Sequence, residues 1–349
     1  MGVKLQITNL ELKIFSRPLR SFLWTCLCAG LGCVVLLACS QKPAASASAP
    51  AAAEPAVSAT PAPAPEVFAA DTTPLPQFDG AAAMQYVKQV VAFGPRWVDS
   101  PGHARTERFL REQLKSDRLV EDAFAATTPA GPKSMCNFIA EFPGTREGVI
   151  VVAGHYDTLY NRPDFVGAND GGSSTGLLLE LAKELRGQMK NGKREGYTIR
   201  LAWLDGEEAI RQWSDDDSVY GARHLAGKWQ NEGTLKRVQA FLLVDMIGDA
   251  DLNVDRDDTS TPALEDLTLQ AATRYGYQSH FFARRLPVGD DHAPFLKAGV
   301  PAVDLIDFDY GYGNAYWHTK DDTLDKLSPK SLEIVGSVVE EMIRMLDRK

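Results

Sequence analysis

Two adjacent carboxylates at the end of an apolar run are the first residues here with the makings of chemistry. The run 198–204 (Thr-Ile-Arg-Leu-Ala-Trp-Leu) ends in Asp205-Gly206-Glu207-Glu208-Ala209, so a strand would deliver acidic groups to whatever lies beyond its tip. Neighbouring side chains on an extended chain point to opposite faces. Glu207 and Glu208 therefore serve one centre only if the chain turns beside them, which Gly206 makes easy. Such a pair suits two jobs, one binding a metal directly and one handling protons beside it, because only one group can fill a given coordination position. Taken alone, the stretch is also compatible with a solvated acidic turn.

Other polar residues of chemical interest follow apolar runs in the same way. Residues 151–154 run into His155-Tyr156-Asp157. In an extended segment His155 and Asp157 share a face, so Asp157 can orient His155, although a lone His is more often structural. Asp170 lies in Gly167-Ala168-Asn169-Asp170-Gly171-Gly172, just before a predicted helix, where its plainer use is a helix cap. The run 238–244 leads into Asp245, and Trp317-His318-Thr319 with Asp321-Asp322-Thr323 follows a Tyr- and Gly-rich loop. Together these supply two histidines, Asp170, Glu208 and Asp245 as donors suited to zinc, with Glu207 left over as a base. No single element is specific, whereas the ordered set is.

The elements that must position them alternate. Apolar spacing predicts helices over 82–91 and 106–114, joined by a loop containing Gly94-Pro95-Arg96-Trp97 and Ser100-Pro101-Gly102-His103 that packs near the site. Strands are predicted at 137–141, 148–154, up to 204, 238–244 and 302–306. Helices are predicted at 173–186, near 220–229, and at 262–275 and 329–346. This alternation implies an α/β three-layer sandwich, a central mostly parallel (mixed) sheet flanked by helices, with the active site beyond the strand ends.

The start of the chain has another purpose. Lys4, Lys13, Arg17 and Arg20 precede an unbroken apolar run, 22–38, which is an export signal. It closes on Leu36-Leu37-Ala38-Cys39-Ser40, which resembles the bacterial lipoprotein cleavage box, in which the Cys becomes the lipidated first residue. The alternative is a plain membrane anchor, since a span needs roughly 20 apolar residues. Residues 43–70 are almost wholly Ala, Pro and Ser, a tether with too little apolar surface to fold. The expected organisation is a signal peptide over 1–38, a lipidated Cys39 with its linker over 39–70, and one catalytic domain over 71–349. The product would be an exported lipoprotein facing the periplasm or cell exterior, membrane-bound through its lipid alone. A monomer is expected. Of five cysteines, the mature chain keeps Cys39 and Cys136, so no structural disulfide is expected, and Cys136 reads as a buried small hydrophobe. The net charge of -9 argues against nucleic acid as a partner. The acidic segment 249–258 reads as a solvated loop.

The ordered residues resemble the zinc-dependent aminopeptidase clan over nearly everything after residue 80. There a His-x-Asp, a metal-bridging Asp, a Glu-Glu pair, a further Asp or Glu and a late His occur in this order. In that clan two zincs share the position of Asp170, with His155 and Asp245 completing one site and Glu208 and His318 the other. The closer likeness is to animal-type glutaminyl-peptide cyclotransferases and their bacterial counterparts. It rests on Leu204-Asp205-Gly206-Glu207-Glu208-Ala209 with Trp213 and the segment 217–225, on Asp290-Asp291-His292-Ala293-Pro294-Phe295-Leu296, and on Trp317-His318-Thr319-Lys320-Asp321-Asp322.

That resemblance implies a zinc-exopeptidase-like fold and one zinc held by Asp170, Glu208 and His318. Glu207 would be the proton shuttle, Asp245 and Asp290 would belong to its hydrogen-bond network, and Trp213 and Trp317 would line the substrate pocket. It also implies a cis bond between Asp170 and Gly171. The chain departs from the animal enzymes at Gly154 and Thr175, which replace a cysteine pair, and at Asp304, which replaces a histidine. The loop 307–316 also looks longer. The implied reaction turns an N-terminal Gln into pyroglutamate with release of ammonia, acting on peptides or proteins. The alternatives are a secreted two-zinc aminopeptidase using metal-bound water, with His155 and Asp245 in the second site, and a binding lipoprotein that kept the fold without activity.

Overall fold

The computed structural model describes residues 74–348; the expected signal peptide, Cys39 and the linker lie outside them. The described chain opens with helices α1 (Gly80–Val91) and α2 (Pro101–Leu114). A long hairpin follows, β1 (Arg118–Thr128) and β2 (Gly131–Phe142), and then β3 (Gly144–His155), α3 (Gly172–Gln188), β4 (Arg194–Leu204) and α4 (Tyr220–Asn231). The remainder is β5 (Val238–Asp245), β6 (Val254–Asp257), α5 (Pro262–Tyr275), β7 (Phe281–Leu286), α6 (Ala293–Lys297), β8 (Ala302–Ile306) and α7 (Pro329–Arg348).

Six strands form one mixed sheet in the order β1-β2-β4-β3-β5-β8, and β6 pairs with β7 in a small second sheet. The pairings β4-β3, β3-β5 and β5-β8 are parallel, while β1-β2 and β2-β4 are antiparallel. Alternate residues of each central strand enter opposite cores. Ile150, Val152, Leu201, Trp203, Leu242 and Val244 meet α1, α3, α5 and α7 on one face. Val151, Ala153, Ala202, Leu204, Phe241 and Leu243 meet α4 and α6 on the other, where Trp229 and Phe295 pack edge to face. Two buried faces explain why these strands read as continuous apolar runs. Register then sets the site: His155 pairs with Leu204 and Asp245 with Ile306, so the polar residues after each strand emerge at one edge of the sheet.

Differences from the sequence reading have physical causes. Helix α2 starts at Pro101 rather than Thr106, because Ser100 caps it by accepting from the His103 backbone N–H and Pro fits the first turn. Strand β1 was not expected, since as an edge strand it shows an alternating, half-exposed face rather than an apolar run. Among the described residues every peptide bond is trans, which corrects the expected cis bond at Asp170. The turn into α3 is made instead by Gly171 in the left-handed region (φ 73°), with no peptide isomer needed. Among the same residues no helix is long and apolar enough to cross a membrane.

Helix α4 approaches the tip of β4 so closely that its second residue must be Gly. A Cβ on Gly221 would lie 2.3 Å from Asn137 Oδ1 and 2.5 Å from the Asp205 carbonyl oxygen. Gly221→Ala, although favoured by helix propensity, is expected to destabilise the domain by about 1–3 kcal/mol through overpacking, measured as a lower denaturation midpoint. An unchanged midpoint would mean that α4 does not clamp the strand tip.

Candidate active site

The turn after β4 is built from its own backbone. Gly206 sits at φ 69°, and the N–H groups of Val219, Tyr220 and Gly221 donate to the carbonyls of Glu207, Gly206 and Asp205 at 2.8–2.9 Å. Asp157 grips the same turn, since its two carboxylate oxygens accept from the N–H groups of Glu207 (3.1 Å) and Glu208 (3.3 Å). Asp157 Oδ1 is also 3.5 Å from His155 Nδ1, so the residue orients the Glu pair as well as standing beside the histidine. Below the turn, Asp205 accepts from the Cys136 N–H (2.8 Å) and pairs with His103 Nε2 at 2.7 Å. This places the Pro- and Gly-rich stretch close to the site, with His103 on α2 as the contact.

Asp170 is presented by a second stapled loop. Arg96 is fully buried and donates to the carbonyls of Tyr156, Val166, Gly167 and Asp170. Burial lowers its pKa to about 10, against the pull of Asp322 and Asp170. From the other side Asp322 accepts from the Asn169 N–H (2.8 Å), the Asp170 N–H (3.2 Å) and Tyr310 Oη (2.8 Å), tying this loop to the segment that carries His318. Asn169 in turn bonds the Met246 carbonyl and the Gly248 N–H, which fixes the chain after Asp245. Asp170 does not cap α3; Gly171 holds that position, which leaves the carboxylate free.

Its oxygens meet two donor sets. His318 Nε2 lies 3.4 Å from Asp170 Oδ2 and 3.5 Å from Glu208 Oε2. His155 Nε2 lies 3.2 Å from Asp170 Oδ1 and 3.1 Å from Asp245 Oδ1. Both groups could hold a metal ion. The first passes a stricter test. Asp170 Oδ2 and both oxygens of Glu208 are buried without a hydrogen-bond partner, a costly state for carboxylates unless a cation completes it. Ligand bonds of 2.0–2.1 Å in a tetrahedron put donor atoms about 3.3–3.4 Å apart, close to the separations found. Two oxygens and one nitrogen, with a side open to the cavity, fit zinc. In the second group His155 Nε2 already hydrogen-bonds Asp245.

One cavity of about 400 Å³ gathers most of the expected residues: Asp170, Glu207, Glu208, Asp245, Asp290, Trp213, Trp317 and His318 all line it. His155 is buried and does not line it. Trp317 stacks on the His318 ring at 4.0 Å and packs against Phe308 at 5.0 Å. Trp213 stands 44% exposed at the rim. His318 (φ 55°) and Met246 (φ 49°) take left-handed backbone conformations beside the cavity, strain of the kind that collects at functional sites. Burial above all pushes Glu207 well above the usual carboxylate range; Asp290 and Glu208 add to it, while His155 opposes. Burial, with the charges of Asp245 and Asp291, does the same to Asp290.

Several contributors escaped the sequence reading. The segment 249–258 is not a solvated loop: Asp255 and Asp257 are buried, Asp255 paired with Arg284 at 2.9 Å and Asp257 accepting from the Val288 N–H at 2.9 Å. Val288 lines the cavity, so these acids hold its wall. Asp257 also meets His292 Nε2 at 3.0 Å, and His292 Nδ1 lies 3.8 Å from Asp304 Oδ2. At Gly154 a Cβ would fall 2.6 Å from that of Ser174, leaving no room for a cysteine. Thr175 Oγ1 instead donates to the Gly171 carbonyl at 2.6 Å. Arg96 and Asp322 carry no signal of their own in the sequence; each lies in a stretch whose other residues point to the site.

Comparison with known proteins agrees with this geometry. The model of peptidase family M28 matches residues 137–343, and the chain belongs to that family. Glutaminyl-peptide cyclotransferases are among its relatives. The Drosophila melanogaster glutaminyl-peptide cyclotransferase is 33% identical over 65% of this chain and 70% of its own. Among solved structures, a glutaminyl cyclase of an Acidobacteriales bacterium is 48% identical with a TM-score of 0.76, covering 80% of this chain and 99% of that one. The Porphyromonas gingivalis glutaminyl cyclase is 27% identical with a TM-score of 0.68, over 77% and 98% of the two chains.

The His103–Asp205 pair beneath the Glu turn gives a pH test. Burial lowers the His103 pKa, but the charge and hydrogen bond of Asp205 outweigh it and raise it to about 9. A raised folded-state pKa means stability that is fully present below the unfolded value of about 6.5 and lost as pH rises through about 9. His103→Gln should therefore cost about 2–4 kcal/mol at pH 6 and progressively less toward pH 10, in paired denaturation curves. A cost independent of pH would show that His103 does not change its charge over this range.

Proposed function

We propose that this domain is a zinc-dependent glutaminyl-peptide cyclotransferase, in which Asp170, Glu208 and His318 hold one zinc and Glu207 shuttles the proton. The observation behind it is the open Asp170, Glu208 and His318 group, with partnerless carboxylate oxygens, facing a cavity walled by Trp213 and Trp317. A metal bound there supplies Lewis acidity toward an amide carbonyl oxygen.

The protein's residues do the rest. The cavity folds the Gln side chain back toward its own α-amine, so that nucleophile and carbonyl belong to one molecule and the main task is orientation. As the α-amine nitrogen bonds to the side-chain carbonyl carbon, Glu207 takes a proton from it and returns one to the departing nitrogen, which leaves as ammonia. The environment that raises the Glu207 pKa suits both halves of that exchange. Asp290 and Asp245 complete the acidic wall around Glu207, and the Trp317 and Phe308 rings keep water from the reacting carbon. No water is consumed, which separates this reading from an aminopeptidase. The His155, Asp170 and Asp245 group favours hydrolysis only if it holds a second metal, and its histidine is sealed behind the cavity.

At the start of the chain, outside the described residues, the basic and apolar residues up to Cys39 support export and lipidation, and the Ala/Pro/Ser segment supports a tether. The substrates would then be N-terminal Gln peptides or proteins met outside the cytoplasm.

Two variants separate the roles of the pair. Glu207→Gln is expected to keep its zinc and lose roughly two to four orders of magnitude in turnover, whereas Glu208→Gln is expected to lose the zinc itself. Metal analysis beside ammonia release from a Gln-initiated dipeptide reads both effects. A fully active Glu207→Gln enzyme would refute the shuttle assignment. Mass spectrometry of a Gln-initiated peptide is a second check: loss of ammonia at unchanged length is expected, and a shortened peptide would favour the aminopeptidase.

A further inference from the structure

The acidic and basic charges of this domain sit at opposite ends of the sheet. Carboxylates collect beyond the C-terminal tips of β3, β4, β5 and β8. Lysines and arginines collect where β3, β4 and β5 begin. Arg146 lies near the start of β3, Lys190 and Lys193 in the turn that enters β4, and Lys236 and Arg237 directly before β5. All five are exposed. A shallow hollow of about 620 Å³ lies between Arg146, Lys190 and Lys193 and the end of α7.

Helix dipoles do not account for this rim. The cations that serve the last turns of α3 and α4 are Arg186 and Lys228, while Lys190 and Lys193 stand beyond α3 in the turn into β4 and Lys236 and Arg237 close a single 3-10 turn, Thr234–Arg237, too short to carry much dipole. The acid that faces the hollow from α7, Asp347, is already spent on Arg194 Nη2 (2.6 Å) and the Tyr197 N–H (2.7 Å). Glu147, Glu195 and Glu232 are exposed on this end as well, so the excess is positive but moderate, in a chain whose net charge is -9.

The described chain enters the fold at the same end. The Pro74 carbonyl accepts from Arg344 at 3.4 Å, and Pro76 lines a small cavity with Gln188, Arg194 and Arg344, which also border the basic hollow. The described chain therefore begins beside the basic rim. β3 spans 12 residues from this end to His155, a separation of roughly 36 Å at about 3.3 Å per residue.

We propose that the basic rim is a docking surface for anionic phospholipid headgroups, on which the domain rests with its catalytic cavity turned away from the membrane. A tether entering at this face brings these cations, rather than the acidic cavity mouth, against the bilayer. A moderate patch then suffices, because the tether supplies the effective concentration. The orientation rests on the lipid-anchor reading of Cys39, whereas headgroup binding by the rim does not.

The test uses the domain from residue 71, which lacks Cys39. A region of this extent stands alone in a relative, since the Acidobacteriales enzyme is matched over 99% of its chain by 80% of this one. Co-sedimentation with phosphatidylglycerol vesicles, beside phosphatidylcholine vesicles, is measured at low ionic strength and again near 1 M salt, where the Debye length falls to about 3 Å. Binding to phosphatidylglycerol alone, abolished by salt, is expected. Each basic side chain is worth about fivefold in partitioning, so the triple variant Lys190→Gln, Lys193→Gln, Arg237→Gln should bind about a hundredfold more weakly. Its thermal midpoint should be unchanged, and Lys236→Gln with Arg237→Gln provides a milder second variant. Absence of binding to phosphatidylglycerol, equal binding to phosphatidylcholine, or undiminished binding by both variants would overturn the proposal. So would displacement by millimolar inorganic phosphate at constant ionic strength, which would make the hollow a phosphate site. None of these readouts depends on cyclotransferase activity.

Discussion

Burying many carboxylates in one corner of a protein is the constraint on which this structure depends. Each would repel the others and forfeit its hydration unless something compensates it. The compensation takes three forms. Asp157, Asp205 and Asp322 accept backbone N–H groups and so become the fasteners of the Glu207-Glu208 turn and the Asp170 loop. Asp290 and Asp304 are pushed by burial well above the ordinary carboxylate range, toward the neutral acid. Asp170 and Glu208 keep oxygens with no partner, and a cation is the compensation that remains for them.

This division explains which parts of the site were legible in the sequence. Residues placed by strand register could be read, because an apolar run followed by a polar residue says both that a strand ends and what it delivers. His155, Glu207, Glu208 and Asp245 were found in this way, and the strand at 302–306 and the helix at 262–275 agree with the structure at both ends. The fasteners could not be ranked. Nothing in its local sequence distinguishes Asp322, which holds the Asp170 loop from more than a hundred residues away, from Asp321, which is exposed and paired with Lys320. Arg96 looks like a loop cation until its carbonyl partners are in place.

Edge elements were illegible for a different reason. β1 lacks a second core to cover its outer face, so its residues alternate weakly, and the pair β6 and β7 is short. Their acids looked like solvation and proved to be architecture: Asp255 and Asp257 secure the segment that carries Val288 to the cavity wall. Composition alone cannot separate these cases, because an Asp that accepts a backbone N–H in a buried loop and an Asp that faces water have the same sequence signature.

A fold matched by a peptidase family can support a reaction that consumes no water if its metal group opens onto a site shaped for an intramolecular nucleophile. Three local features push in that direction here. His155 is sealed beneath Asp170 and Asp245 and hydrogen-bonded to Asp245, so the second donor set has no face on the cavity through its histidine. The Trp317 ring is stacked on the His318 imidazole, which would put apolar surface beside a metal held by Asp170, Glu208 and His318. Glu207, held by Asp157 at its own N–H, can stay beside a cation without binding it, because the rigid turn fixes which carboxylate of the pair faces the open group. The choice between cyclising and cleaving is thus set less by the identity of the donors than by how the loops around them distribute access to water.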